Sequence, residues 1–334
     1  MEFGPVPLAQ AEGAILAHSV PLPAGRLRKG LVLDAPALAH LAAAGIGEVT
    51  VARLGPDDLH EDAAAQAVAA ALVPDAAAAG LVLRAVGTGR VNVHAAGPGL
   101  TQVDAARVAA LNAVDPMITL ATLSPWQRVA AGEMVATVKI IAYGVAQASV
   151  SAACGAGQGG LRLRRPVLSR AVLIETTVGG EETPDKGRAA IEARLRALGV
   201  TLDPPVRVPH RPAALAQALQ AAAGADLVLI LTASATSDPR DVAPQALRQA
   251  GGVVDRFGMP VDPGNLLFLG RLDATPVIGL PGCVKSPALN GADWVMERVI
   301  CGLTVTAADI AAMGVGGLLK EIPIRGRLRE ARAE

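Results

Sequence analysis

The fold is decided by Val277-Ile-Gly-Leu-Pro-Gly-Cys-Val-Lys-Ser-Pro287, in which an apolar strand stops at a Pro-Gly turn and leads into a predicted helix. Such a turn exposes backbone N–H groups beside Lys285 and Ser286, at a helix entrance that favours a negatively charged group. A second apolar strand, within 226–232, runs in the same way into a loop of small residues and then into Pro239-Arg-Asp-Val242. Two such units predict one ligand crevice at the carboxyl ends of neighbouring strands.

The composition excludes several classes of protein. Lys plus Arg and Asp plus Glu each number 30 in the 334 residues, so the chain lacks the basic footprint of a nucleic-acid-binding protein. Three cysteines (Cys154, Cys283 and Cys301) are far apart, which argues against a disulfide framework or a zinc site. The N-terminus lacks the basic-then-apolar order of a signal peptide, and no apolar run approaches the about 18 residues of a membrane span. We therefore expect a cytoplasmic protein with neither a membrane nor a nucleic-acid partner.

The chain is predicted to contain a small N-terminal part and a larger α/β domain. The predicted divisions are an N-terminal segment 1–60, a small mixed α/β domain 61–148, a linker 149–165, a ligand-binding α/β domain 166–305, and a C-terminal helix and tail 306–334. The linker is predicted because Ala, Ser and Gly dominate it. Local signals in the first two parts are Asp34 as a helix cap, and Thr101 with Asp104 as a capping box that opens a helix.

Strands and helices alternate regularly beyond Pro166. Strands are predicted at 171–176, 206–208, 227–231 and 277–280, and helices at 186–198, 213–223, 242–250 and 287–301. Continuous apolar strands alternating with helices predict a Rossmann-like, three-layer α/β/α domain around a mostly parallel sheet. The block 258–272 interrupts the rhythm, and Leu266–Leu269 is predicted as one arm of a hairpin.

These loops, in this order, resemble the molybdopterin-binding domain of molybdenum-cofactor biosynthesis, which occurs in molybdopterin adenylyltransferases and molybdenum insertases. The family's Thr-Gly-Gly-Thr-Gly turn and Arg-Asp-Val correspond to Thr232-Ala-Ser-Ala-Thr236 and Arg240-Asp-Val242. Its Leu-Pro-Gly-x-Pro-Lys-Ser corresponds to Leu280-Pro-Gly-Cys-Val-Lys-Ser286, and Thr183-Pro-Asp-Lys-Gly187 matches the loop that opens its first helix. The first 55 residues resemble the opening segment of the insertases, including the run from Leu8 to Ala17.

The resemblance implies a pterin phosphate held by strand-end loops. It implies cofactor contacts from Thr232, Ser234, Thr236, Arg240, Pro281, Gly282, Lys285, Ser286, His210 and Asp185. Asp241 would be the catalytic residue and the metal ligand. The implied cofactors are molybdopterin together with Mg²⁺ and ATP or molybdate. The implied partners are other proteins of molybdenum-cofactor biosynthesis and a second copy of the chain.

Two departures from the family pattern affect the predicted activity. The glycines of the family turn are replaced in 233–236, which removes the freedom to adopt positive φ where a phosphate would approach the backbone. His210 stands where the adenylyltransferases have an acidic residue; a carboxylate there would suit metal handling, whereas a histidine suits a phosphate or a proton. These changes favour a binding protein over the alternatives, an active adenylyltransferase or molybdate-inserting enzyme, or a Mg²⁺-dependent nucleotide pyrophosphatase on the same fold.

Several of these residues also have purely structural interpretations. Asp241 and Asp185 are each placed to cap a helix. Arg240 is placed to pair with Asp238 or Asp241 at the surface. Glu175 ends an apolar strand, so its carboxylate is either satisfied by loop N–H groups or placed for substrate.

Overall fold

The computed structural model consists of two compact units. It describes residues 1–23, 25–179, 185–222, 224–262 and 264–319, with the backbone alone at 185 and 186. The first unit comprises Met1–Gly97 with Thr101–Leu163, and the second comprises Pro98–Leu100 with the described residues from Arg164 onward. No helix that these residues form has the length and apolar character needed to cross a membrane.

The strands and helices follow in chain order. The strands are β1 (Glu2–Pro7), β2 (Ile15–Leu16), β3 (Val20–Leu22), β4 (Gly25–Leu27), β5 (Glu48–Arg53), β6 (Asp58–His60), β7 (Leu81–Gly87), β8 (Arg90–Ala95), β9 (Gly99–Val103), β10 (Ile118–Thr122), β11 (Arg128–Val129), β12 (Met134–Ile140), β13 (Gly144–Ala146), β14 (Leu161–Arg164), β15 (Arg170–Thr177), β16 (Thr201–Leu202), β17 (Val206–Pro209), β18 (Leu227–Leu231), β19 (Val253–Met259), β20 (Asn265–Leu272) and β21 (Thr275–Leu280). The α-helices are α1 (Ala35–Ala43), α2 (Glu61–Leu72), α3 (Ala76–Ala79), α4 (Ala105–Asn112), α5 (Gln147–Gly157), α6 (Asp185–Arg196), α7 (Pro212–Ala221), α8 (Val242–Gln249), α9 (Gly291–Ile300) and α10 (Ala307–Ala312).

The first unit is built on small antiparallel sheets. Strands β1, β5 and β2 form one sheet, and β10, β12, β8 and β7 form another. Helix α1 begins as predicted, because the Asp34 carboxylate accepts the Ala37 N–H at 2.9 Å. Helix α2 buries Ala64, Val68 and Leu72 against the second sheet. The core of this unit is therefore made of small and aliphatic side chains.

Two local predictions in this unit are wrong. The segment predicted as a linker forms helix α5 and strand β14. Its small residues allow close packing, since a Cβ added at Gly157 would lie 2.4 Å from Leu111 Cδ1. Asp104 is itself the N-cap of α4 and accepts the N–H groups of the first turn, while Thr101 is buried in β9. The spacing of these two residues matches a capping box, but the strand extends past the first of them.

The second unit contains one seven-stranded sheet in the order β16-β15-β18-β21-β20-β19, with β17 also paired to β15. Strands β15, β16, β17, β18 and β21 are parallel. Strands β19 and β20 run antiparallel, so the sheet is mixed rather than almost wholly parallel. A two-residue loop joins β20 to β21, with Asp273 at a φ of +52°. Such a tight loop can only reverse the chain into a neighbouring antiparallel strand.

Helices cover both faces of this sheet. Ala171 and Leu173 of β15 pack in one core with α6 and α9, whereas Val172 and Ile174 pack in another with α7 and α8. This alternation follows from the period of two along a strand. We call these the α6/α9 face and the α7/α8 face.

Candidate functional site

The predicted site loops leave the same edge of the sheet. Glu175 of β15 is level with Leu231 of β18, and Leu231 is level with Leu280 of β21. All three strands are parallel, so the loops that follow them start side by side. The segments 232–241 and 281–290 therefore follow directly neighbouring strands.

The connections after these strands lead to opposite faces. The chain passes from β15 to α6 and from β21 to α9 on one face, but from β18 to α8 on the other. In open α/β sheets, a crevice forms beyond the carboxyl ends of neighbouring strands whose connections diverge in this way. This edge is consequently the candidate site.

The loop after β21 is held by Arg194 of α6, a residue that the sequence did not single out. Its side chain is 7% exposed, and Nε donates to Asp293 Oδ1 at 2.5 Å. Nη1 and Nη2 each donate to two backbone carbonyls. These carbonyls belong to Ala190 at 3.1 Å, Val284 at 3.0 Å, Ser286 at 2.7 Å and Ala288 at 2.9 Å. All five N–H donors of the guanidinium are therefore used, and three of them fix the site loop.

The helix after this loop starts later than the sequence predicted. Residues Gly282–Lys285 form a 3-10 turn, and α9 begins only at Gly291. Asn290 and Asp293 form a reciprocal capping box there. The sequence predicted a start at Pro287, because proline is common in the first turn of a helix. The predicted helix entrance beside Lys285 was wrong in this respect.

Lys285 instead lies beside the start of α6. A Cβ added at Gly187 would lie 3.0 Å from Lys285 Cγ and 3.5 Å from its Cδ. The aliphatic stem of the lysine thus packs on the first turn of that helix, which only a glycine leaves open. The residue is exposed, so its charge remains available.

The other residues of this loop have varied surroundings. Pro281 is buried and Gly282 is exposed. Ser286 is half-buried, and its hydroxyl oxygen accepts the Ala288 N–H at 3.3 Å. Cys283 is exposed, and its Sγ accepts an N–H of the Asn290 side chain, the N-cap of α9, at 2.7 Å.

The loop after β18 satisfies many of its own polar groups. Asp241 caps α8, because Oδ1 accepts the Val242 N–H at 2.7 Å and Oδ2 accepts the Ser237 N–H at 3.0 Å. The hydroxyls of Thr232 and Thr236 lie 3.3 Å apart, and Thr236 is buried. The structural interpretation of Asp241 as a helix cap is confirmed, and its metal-binding and catalytic roles remain predictions.

Arg240 and Ser234 are both exposed in this loop. Arg240 is 91% exposed, and its Nε lies 3.3 Å from Asp238 Oδ1. The Arg240 backbone N–H and side chain both donate to Asp238, which lowers the pKa of that carboxyl below its ordinary value. Arg240 therefore makes the surface pair predicted as its structural role.

A buried hydroxyl connects three of the edge loops. Thr176 Oγ1 lies 2.9 Å from His210 Nδ1 and accepts the Ala233 N–H at 2.9 Å. His210 is half-buried, and its backbone N–H donates to the Thr177 carbonyl at 2.9 Å. The sequence marked His210 but gave no signal for Thr176, which differs little from any strand threonine.

Glu175 and Asp185 complete the predicted set. Glu175 is 1% exposed; Oε2 is 3.6 Å from Arg207 Nε and has no hydrogen-bond partner within the described chain. It is therefore held chiefly by an ion pair with the neighbouring strand. The side chain of Asp185 and the segment 180–184 lie outside the described residues.

The donor set at Asp241 does not make a dedicated Mg²⁺ site. Both of its oxygens already accept backbone N–H groups, and the nearby Asp238 is paired with Arg240. A lone carboxylate binds Mg²⁺ weakly, so an ion there would take its other ligands from water and substrate phosphate.

Two stretches of the chain match family models. Residues 170–299 match the family model described as a probable molybdopterin binding domain, and residues 5–53 match a domain of unknown function. No curated protein sequence matches the chain.

Three solved structures are similar to parts of the chain. A molybdopterin biosynthesis MoeA protein from Pyrococcus horikoshii is 13% identical, with 90% of this chain and 75% of that chain covered and a TM-score of 0.31. A molybdenum cofactor biosynthesis protein B is 17% identical, with 40% and 88% covered and a TM-score of 0.30. A molybdenum cofactor biosynthesis protein from Pyrococcus furiosus is 13% identical, with 91% and 66% covered and a TM-score of 0.24. From the family match and the strand-end loops together, residues 170–299 belong to the molybdopterin-binding domain family of molybdenum-cofactor biosynthesis.

Proposed function

We propose that the second unit binds molybdopterin and holds its phosphate at the carboxyl edge of the sheet. The observation that carries the proposal is the packing of the Lys285 stem on Gly187 at the start of α6. The first N–H groups of a helix and the positive end of its dipole lie at such a start, and an exposed ammonium beside them adds a full positive charge. A doubly charged phosphate suits this combination.

The loop after β21 supports the same ligand from its other residues. Gly282 is exposed, so its backbone can approach a ligand closely, and Ser286 offers a hydroxyl donor. Arg194 fixes the carbonyls of this loop on the side away from solvent, so the loop does not have to be ordered when the ligand binds. We assign Pro281, Gly282, Lys285 and Ser286 to the phosphate subsite.

Binding is favoured over adenylyl transfer or molybdate insertion by the loop after β18. The Ala233 N–H already donates to Thr176, and both oxygens of Asp241 accept N–H groups within the loop. A turn that uses its polar groups internally has fewer to offer a second nucleotide or a metal. Ser234 and Arg240, which are exposed, then contact the pterin through a hydroxyl group and a charge, whereas the buried Thr236 hydroxyl lies against that of Thr232.

The test is fluorescence titration with molybdopterin under anaerobic conditions. We expect the Lys285→Gln variant to bind at least about tenfold more weakly, the size of one charge-assisted hydrogen bond. Lys29→Gln, which removes the same charge in the first unit, is the matched control and should bind like the unaltered protein. Phosphatase-treated molybdopterin should bind weakly to all three proteins. Equal affinity of Lys285→Gln and Lys29→Gln would refute the phosphate subsite.

The enzymatic alternative is separated by turnover. Incubation with molybdopterin, ATP and Mg²⁺ should leave the nucleotide unchanged if the unit only binds. Stoichiometric release of pyrophosphate would instead establish adenylyl transfer, and release without pterin would establish a nucleotide pyrophosphatase. Self-association and binding to other proteins of the same biosynthesis remain predictions, which sedimentation of the full chain would test.

A further inference from the structure

The hydroxyl of Thr176 occupies a central position among the edge loops. Thr176 is 2% exposed at the end of β15. Its oxygen accepts the Ala233 N–H from the loop after β18, and it lies 2.9 Å from Nδ1 of His210, which follows β17. One buried atom thus contacts both the loop after β17 and the loop after β18.

The hydrogen-bonding capacity of these groups selects one proton arrangement. A threonine hydroxyl has a single proton to donate, and leaving it unused in a buried place is unfavourable. The only acceptor recorded for this proton in the described chain is His210 Nδ1. If Nδ1 carried the proton instead, the hydroxyl would have no acceptor. The arrangement that satisfies both groups has Thr176 donating to Nδ1, which leaves the ring proton on Nε2.

We infer that Thr176 is a positioning residue that fixes His210 as the Nε2–H tautomer, so that the ring gives a neutral N–H donor to the phosphate of the bound pterin. This inference rests on the proposed function for its ligand, but not for the tautomer. Nε2 is the ring nitrogen away from the Thr176 contact, and His210 as a whole is only half-buried, which leaves part of the residue open to a ligand.

The bond between Thr176 and the Ala233 N–H also bears on how the loop after β18, which lacks the family glycines, can take part in binding a phosphate. In this chain, the first N–H after Thr232 is directed to Thr176 and is withheld from any ligand. The imidazole N–H replaces it as a donor from the neighbouring loop. A phosphate monoester is the matching ligand class, because its oxygens accept from both an ammonium and a neutral N–H.

Two substitutions of Thr176 test the inference. Thr176→Val keeps the shape and removes the hydroxyl, whereas Thr176→Ser keeps the hydroxyl. Long-range proton–nitrogen NMR of the imidazoles in alkaline solution reports the tautomer, and His210→Gln assigns the signal. We expect a single Nε2–H form in the unaltered protein and in Thr176→Ser, and a mixture of both tautomers in Thr176→Val.

The affinity for molybdopterin provides the second readout. Thr176→Val should bind about tenfold more weakly and Thr176→Ser within about twofold of the unaltered protein. In the His210→Gln background, Thr176→Val should have no further effect, since the two residues act as a unit.

The outcomes separate this inference from the proposed function. An Nδ1–H form in the unaltered protein, or an unchanged tautomer in Thr176→Val, would overturn the positioning role whatever the protein binds. If the unaltered protein does not bind molybdopterin, the proposed function and the ligand assigned to His210 both fall, while the NMR result still decides the role of Thr176. Additive effects of the two substitutions on affinity would overturn the link between them.

Discussion

Replacing Arg194 by methionine tests whether the site loop depends on a single buried cation. Methionine has a similar length but no N–H donor. The substitution removes all five donors of the guanidinium and the ion pair with Asp293. Three of the lost bonds hold the carbonyls of Val284, Ser286 and Ala288. We expect a large loss of stability in the second unit together with weaker binding of molybdopterin.

The magnitude follows from the burial of the pair. The Arg194 side chain is 7% exposed and that of Asp293 is 5% exposed. Removing one partner of a buried pair costs about 3–5 kcal/mol, because the other charge stays buried. Asp293 keeps one bond, to the Asn290 N–H at 2.8 Å, which reduces the cost toward the lower end. For a unit of this size each kcal/mol shifts Tm by roughly 2–4 °C, so we expect a fall of about 6–12 °C.

The assay is urea unfolding followed by tryptophan fluorescence. A Trp126→Phe background leaves Trp294, on α9, as the reporter of the second unit. Arg196→Met on the same helix is the matched control, since Arg196 is 74% exposed and its ion pair, with Glu192, is a surface i, i+4 pair. That control should change the free energy of unfolding by no more than about 0.5 kcal/mol. Similar losses for Arg194→Met and Arg196→Met would refute the argument that burial makes the Arg194 contacts strong.

Three further predictions address single contacts. Gly187→Ala should push the Lys285 stem aside, because the new Cβ would lie 3.0 Å from its Cγ, and should weaken molybdopterin binding several-fold. The control is Gly155→Ala in α5, where an added Cβ meets nothing within 4 Å. Equal affinities of the two variants in the titration would contradict the contact. Asp241→Ala should cost about 1 kcal/mol in urea unfolding through loss of the α8 cap, whereas Asp241→Asn, which can still cap, should cost much less; equal losses would count against the capping role. Burial raises the pKa of Cys301 to about 12 from 9.0, so the folded state keeps a proton that the unfolded chain loses, and stability should fall between about pH 9 and pH 12 by about 1.4 kcal/mol per pH unit. Urea unfolding at pH 8 to 10.5 should show this slope in the unaltered protein but not in Cys301→Ala, and an unchanged slope would contradict it.

The parallel strands of the second unit were predictable because their sequences are strongly constrained. Strands β15, β18 and β21 are buried on both faces, so each is a continuous apolar run. Polar residues that follow such runs lie at the carboxyl edge of the sheet. The sequence therefore predicts Thr232 and Lys285 on neighbouring loops, as β18 and β21 pair directly. The edge of the sheet that carries the site was therefore visible from local patterns alone.

The contacts that shape the site were not visible because they join distant parts of the chain. Arg194 bonds to Val284, which lies 90 positions later in the chain. Its position in a helix of mixed polarity does not indicate this contact. The hydroxyl of Thr176 contacts residues 34 and 57 positions away. The start of α9 was misplaced because Pro287 resembles a first helical residue, whereas the Asn290–Asp293 box decides the boundary.

The loops after β18 and β21 differ in the polar groups that they leave available to a ligand. The loop after β18 uses its polar groups within the protein: the N–H groups of Ala233 and Ser237 donate, and both oxygens of Asp241 accept. These bonds hold the loop but leave it few N–H groups to donate to a ligand. After β21, the carbonyls are the bonded groups, and the lysine remains exposed. We therefore expect a bound phosphate to draw most of its binding energy from the β21 side and from the His210 ring, rather than from a glycine turn. Glycines at 233, 234 and 236, where the family has them, would keep these N–H groups but loosen the backbone that aims the Ala233 N–H at Thr176. We therefore expect the triple variant to bind molybdopterin more weakly in the same titration, and tighter binding would contradict this division between the loops.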